Sequence, residues 1–277
     1  MPPIEDISAP VTPEEVQDLL RAIRLTRPDG EFYREREKKY HEVIHFITHI
    51  LVLERTFKKR KELVLLDCGC GRSYLSFVLN MVLTEKLERP AYFIGVDTQS
   101  QLIETCRTEQ GVLGYENMEF HRDEIIHFQP SKTPDIVYSL HACDMATDEA
   151  IAKGIQLNAR CIIVAPCCQR QVKGDIRGGH PLRGLSKHSV FKEIMCVMLT
   201  DGSRTLALEA AGYRVTVIEF VPAKYTPKNI MLRAERVSFG RKREAVEAYR
   251  QLSSTFRFRA AIERYLPDIF SEARRCI

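Results

Sequence analysis

The stretch "LLDCGCGRSYL", residues 65–75, ends an apolar run on an acid and follows it with two glycines one residue apart. Glycines at such a turn let the backbone come close to a nucleoside. A dinucleotide fingerprint would place a third glycine at position 74, where Tyr74 stands, and has no need of an acid at Asp67. NAD is therefore disfavoured. An acidic strand end suits a ligand that carries an ammonium group rather than a pyrophosphate, and S-adenosylmethionine is such a ligand. On this reading Asp67, Gly69, Gly71 and Tyr74 serve the cofactor. Asp97, closing "GVD", accepts from the ribose hydroxyls, and Asp123 accepts from the adenine amino group.

Two further segments carry reactive side chains, "SLHACDMATDEAI" at residues 139–151 and "APCCQRQ" at residues 165–171. His141 is a candidate general base, since an unperturbed imidazole titrates near neutrality, at about 6.5. Asp144 would orient it or take the proton itself, while Asp148 reads as the cap of the next helix. A histidine at a strand end also serves as a cap or packing residue. Adjacent cysteines rarely chelate one metal together, and His180 and His188 lack finger-like spacing, so no metal is expected and Cys167 and Cys168 read as a packed wall, with a covalent nucleophile as the alternative. His41, His45 and His49 recur every fourth residue, a polar face suited to lining a substrate groove. Lys39 and Glu42 flank the apolar stripe of the same helix and can reach the rim of the site.

These groups need a scaffold that brings strand ends together. Short runs rich in valine and isoleucine at residues 63–67, 91–97, 134–140 and 160–165 alternate with helical patterns, and residues 118–120 add a weaker strand. That alternation predicts a parallel sheet covered on both faces. The runs from Gly212 and from Asn229, joined by a turn with Pro222 and Pro227, predict an antiparallel hairpin at the edge, for seven strands in all. Helices are predicted over residues 13–25, 31–57 and 241–266, the last ending at Pro267. In the second, Val43, Phe46, Ile47, Ile50 and Leu53 share one face. The expected organisation is an N-terminal helical extension at residues 1–61, a catalytic domain at 62–237 and a C-terminal helical extension at 238–277, both extensions packing on the core.

With 277 residues, 44% of them hydrophobic, the chain can bury a full core. Nine irregularly spaced cysteines and no secretory leader predict a cytoplasmic protein with free thiols. No apolar run reaches the roughly 18 to 20 residues of a bilayer span, so no membrane partner is expected. The net charge of +4 alone implies no polyanion. Residues 170–187, however, carry Arg170, Lys173, Arg177, Arg183 and Lys187 against one acid, Asp175, with glycines interspersed. This composition predicts a mobile basic lid suited to phosphates, extended by the basic clusters at Arg55 and Arg241.

The acid, the glycine pair and the second acid one strand later resemble the class I S-adenosylmethionine-dependent methyltransferases over residues 63–237. The segments "KKYHEV" at 38–43, His-x-Cys-x-x-Ala-Thr-Asp from His141, the Cys167-Cys168 doublet and Thr226-Pro227-Lys228-Asn229 further resemble the family that includes tRNA ribose 2'-O-methyltransferases and stand-alone relatives. Asp144 departs from that pattern, where the tRNA enzymes have glycine, and Gln169 departs where they have histidine. No cysteine precedes Cys68, so their zinc-binding modules are not expected. The resemblance implies a Rossmann-like fold and S-adenosylmethionine as cofactor, with Lys39, His141 and Asp144 in catalysis and His141 also beside the cofactor. Together with the basic lid it implies an RNA substrate, a ribose hydroxyl favoured, held by Arg177, Arg183, Lys187, Lys228 and Asn229. Methylation of a protein or small molecule is the alternative, and a cofactor-binding scaffold without turnover is another.

Overall fold

Alternating burial along the apolar runs produces a sheet with a core on each face. The structure is a computed structural model, described over residues 10–58, 61–142, 145–167, 171–176, 179–238, 240 and 242–274. Five parallel strands, β1 (Leu63–Cys68), β2 (Ala91–Asp97), β3 (Met118–Arg122), β4 (Ile136–Leu140) and β5 (Cys161–Ala165), join an antiparallel pair, β6 (Tyr213–Glu219) and β7 (Ile230–Arg236). The order across the sheet is β3-β2-β1-β4-β5-β7-β6. After β1 the chain winds outward through β2 and β3, then crosses back to β4. The carboxyl ends of β1 and β4 therefore diverge into opposite halves of the sheet, and a crevice opens between them.

The helices are α1 (Gln17–Ala22), α2 (Arg36–Glu54), α3 (Tyr74–Met81, continued by a π turn at Val82–Lys86), α4 (Ser100–Leu113), α5 (Met145–Gln156), α6 (Arg183–Ser186), α7 (Ser189–Ala210), α8 (Lys242–Phe256), α9 (Ile262–Tyr265) and α10 (Pro267–Arg274). Leu63, Leu65, Phe93, Ile136 and Ile163 form one core with α1 to α4, and Val64, Leu66, Ile94, Val137 and Ile162 form the other with α5, α7 and α8. Such period-two division is what a sheet buried on both faces requires. Among the described residues no helix is long and apolar enough to cross a membrane.

Three expectations change. The first helix spans only Gln17–Ala22. The C-terminal helix is broken: α8 stops at Phe256, Arg257 takes a left-handed φ of 54°, and Pro267 begins α10 rather than ending a helix. Proline suits a first helical turn, where its missing N–H has no partner to lose. Finally, His49 is not on an open polar face but only 2% exposed, because β7 covers that side of α2 and brings Arg233 beside it. Burial, the Arg233 charge and His45 hold its pKa down at about 4.

An ion cluster fastens α5 to α7. Arg204, with no exposed surface, donates from Nε and Nη2 to both oxygens of Asp148 at 3.0 and 2.8 Å and from Nη1 to Asp201 at 2.9 Å. Asp148 is thus the buried partner of a residue 56 positions away rather than a helix cap.

Candidate active site

Every strand tip that carries a candidate residue lies on the carboxyl edge of the sheet. The turn after β1 alternates into left-handed backbone, with φ of 70° at Gly69, 54° at Gly71 and 50° at Ser73. The two glycines differ in what they face. A Cβ on Gly69 would sit 3.3 Å from Ala142 Cβ, against the loop after β4, whereas one on Gly71 would meet nothing within 4 Å. Gly71 therefore borders the open crevice, and Gly69 sets how closely the β1 and β4 tips approach.

Asp67, the last but one residue of β1, is only 4% exposed and accepts hydrogen bonds from Ser76 at 2.5 Å and Ser73 at 3.3 Å, while Ser76 and the Tyr138 hydroxyl lie 2.8 Å apart. Burial raises its pKa to about 7, more than the serine hydrogen bonds lower it. It makes no ion pair among the described residues. The Asp97 carboxylate accepts from the backbone N–H of Gly71 and of Gln99, both at 2.9 Å, so it braces the turn it faces. Asp123 follows β3, is exposed, and accepts from the Glu124 N–H at 2.8 Å. Tyr74 opens α3 half-buried, with the Arg72 guanidinium 5.5 Å from its ring centre.

Across the crevice, His141 stands at the tip of β4 with a left-handed φ of 65°. Its N–H donates to Ala165 at the end of β5, and its carbonyl lies 3.6 Å from Cys167 Sγ. The Thr147 hydroxyl closes the loop by donating to the Ala142 carbonyl at 2.7 Å. His141 Nε2 lies 3.2 Å from Glu42 Oε2, and Lys39 Nζ is 3.3 Å from the same oxygen. Burial would raise the Glu42 pKa, but His141 and Lys39 outweigh it and keep the carboxyl below its usual range. Glu42 is thus a central contact, because α2 lies over the β4 tip. Nδ1 of His141 is enclosed and has no partner among the described residues.

Beside this contact the His41 ring stacks on Tyr225 at 4.1 Å and 18°, and Lys224 Nζ lies 4.8 Å from the Tyr225 ring centre. Lys228 is exposed in the same turn, whereas Asn229 is 9% exposed and donates its amide to the Val221 carbonyl at 3.2 Å, locking the β6–β7 hairpin. Arg183 and Lys187 are exposed at the two ends of α6. Asp144, Cys168 and Arg177 lie outside the described residues. Within the segment expected as a basic lid, Val172, Ile176 and His180 are buried, and Leu182 and Leu185 are exposed beside Arg183 and Lys187.

Residues 38–175 match a family described as "Methyltransferase domain". The human "Glutathione S-transferase C-terminal domain-containing protein" is 28% identical over 144 residues, covering 43% of this chain and 22% of that protein. Its bovine counterpart is 24% identical over 192 residues, covering 61% and 29%. The chain thus spans less than a third of the length of these curated relatives. Among solved structures, magnesium protoporphyrin IX methyltransferase from Synechocystis PCC 6803 with SAH bound aligns with a TM-score of 0.50 at 16% identity, over 81% of this chain and 99% of that one. A domain match that begins in α2 and runs past β5, on a seven-stranded sheet with its crevice between β1 and β4, identifies a class I S-adenosylmethionine-dependent methyltransferase domain in the chain.

Proposed function

We propose that the chain methylates an RNA, at a ribose hydroxyl delivered to the tip of β4. The rim beside His141 supports this reading: the His41–Tyr225 stack sits among Lys39, Lys224 and Lys228. Planar rings flanked by cations suit the bases and phosphates of an unpaired RNA strand. Free thiols at Cys68, Cys70, Cys106, Cys161, Cys167 and Cys196 agree with action in the cytoplasm.

The cofactor side fits S-adenosylmethionine. Asp67, a buried carboxyl with hydroxyl donors and no ion pair among the described residues, would hold the ligand's ammonium, and the bare backbone at Gly71 leaves room beside it. Asp97 would accept from the ribose, Asp123 from the adenine amino group, and Tyr74 would wall the pocket. Bound there, S-adenosylmethionine supplies a methyl group on a positively charged sulfur, which an acceptor must approach in line. His141 would take the hydroxyl proton and pass it to water. Glu42 holds the ring through Nε2, and Lys39 keeps Glu42 ionised. Asp144 is the alternative proton acceptor.

The test incubates the purified chain with cofactor labelled on its methyl group and with total RNA or protein from cells lacking the gene, followed by nucleoside analysis. Label on a ribose of RNA is the expected result. Label confined to protein or to small molecules would overturn the RNA reading and leave the methyltransferase assignment standing.

A further inference from the structure

The chain from the β5 tip to β6 departs from the pattern of the remaining surface. β6 runs parallel to β5, because both pair antiparallel with β7, so α7 must start at the carboxyl edge of the sheet and descend to the opposite edge. Its first turns thus stand on the edge that bears the crevice. They bury almost nothing: from residue 181 to residue 194 only Ser186 and Lys192 are even half-covered, and α7 enters the core at Met195. Leu182, Leu185, Val190, Phe191, Ile194 and Met198 are 41% to 68% exposed, and they make up most of the large apolar side chains that the described surface displays. Val190, Ile194 and Met198 repeat every fourth residue and form one stripe.

Cations lie among these apolar groups. Arg183 and Lys187 are exposed, Lys192 is half-buried, and none of the three makes an ion pair among the described residues. The local acid Glu193 is taken by Lys173. RNA accounts for cations but not for a ridge of aliphatic side chains between them. A second copy of the chain would bring the unpaired cations of two ridges together. An anionic bilayer satisfies both: apolar tips enter the acyl boundary while long cationic side chains reach the lipid phosphates.

We infer that α6 and the first turns of α7 form a docking ridge for an anionic membrane surface, which holds the crevice facing the bilayer. The ridge lies on the surface without crossing it, as the absence of a spanning helix among the described residues requires.

Flotation of the full chain with phosphatidylcholine vesicles, with and without phosphatidylserine, tests the inference. Phosphatidylserine vesicles should carry the protein upward, and neutral vesicles should retain at least roughly tenfold less. Phe191→Glu with Ile194→Glu should abolish flotation, whereas Arg183→Gln with Lys187→Gln should remove only the preference for phosphatidylserine. Both pairs should keep native cofactor affinity by calorimetry, which separates lost docking from lost folding. Failure of the native chain to float, or flotation unaffected by the Phe191 and Ile194 changes, would overturn the proposal. So would a dimer in light scattering that the same pair dissociates, or loss of RNA binding by that pair.

Discussion

In the cofactor half of the crevice the contacts are made largely by backbone. Gly71 and Gln99 offer their N–H groups to Asp97, the turn is fixed by left-handed residues, and Asp67 meets only hydroxyls from the helix that follows it. These partners all fall between residues 67 and 99. In the acceptor half the contacts are ionic and aromatic side chains from distant segments: Glu42, Lys39 and His41 come from α2, His141 from the tip of β4 and Tyr225 from the hairpin. A ligand common to a whole enzyme class can be met by a local backbone shape. A particular acceptor is met by side chains that exchange without disturbing the sheet.

Removing the ion cluster that fastens α5 to α7 should have the largest effect. Arg204→Met leaves Asp148 and Asp201 buried without their cation, and denaturant unfolding should show a loss of about 3–5 kcal/mol. A loss below about 1 kcal/mol would mean that α5 is held by apolar packing and that the acceptor half does not depend on this cluster.

The next contrast lies within the turn itself. Gly71→Val should weaken S-adenosylmethionine binding roughly 100-fold in calorimetry, since its side chain enters open space and its left-handed φ strains a branched residue. Gly69→Val should chiefly lower the melting temperature, because its side chain presses on Ala142. The reverse pattern would assign the crevice to Gly69.

For the acceptor half, His141→Gln should reduce the single-turnover rate roughly 100-fold while preserving cofactor affinity. Glu42→Gln should cost roughly tenfold at every pH if its part is to hold the imidazole. Equal loss of cofactor binding in either variant would erase the division between the halves.

A pH dependence tests the cofactor half through one buried carboxyl. The folded pKa of Asp67 is raised from the ordinary 3.8 to about 7, so between those values the folded state holds a proton that the unfolded state has released. Folding stability of the free protein should therefore decline as pH rises through that window and level off above it. A ligand ammonium favours the ionised carboxylate, so cofactor affinity should climb with pH up to about 7, by at most about tenfold per unit, then flatten. Asp67→Asn should remove the slope. Persistence of the slope would shift the proton to another group.

The uneven legibility of the two halves follows from the same contrast. The strands, the hairpin and the positions of Asp67, Gly69, Gly71 and Asp97 could be read because each depends on near neighbours in sequence. The division of labour between the glycines could not, since it depends on where Ala142 arrives after β4. Asp148 read as a cap because nothing in its segment announces an arginine 56 residues later. His49 followed the helical repeat of His41 and His45, but β7 covers it, and a repeat cannot report which neighbour lies over a face. The basic segment hid its apolar character because charge dominates a composition count, whereas exposure of Leu182 and Leu185 depends on how α6 stands off the body.

The bidentate grip on Arg204 also gives α7 a mechanical character. By helix rise the 22-residue helix is about 33 Å long, and its clamp lies about 22 Å from the free N-terminal end. It is built as a lever with its fulcrum in the protein. The fulcrum is Asp148, in the first turn of α5, and the neighbouring Thr147 is tied to the Ala142 carbonyl, one residue beyond His141. A load on the exposed turns would be shared with the packing of α7 on α8 and β6, and the ion pair and the Thr147 hydrogen bond add a route from it to Ala142, the neighbour of His141.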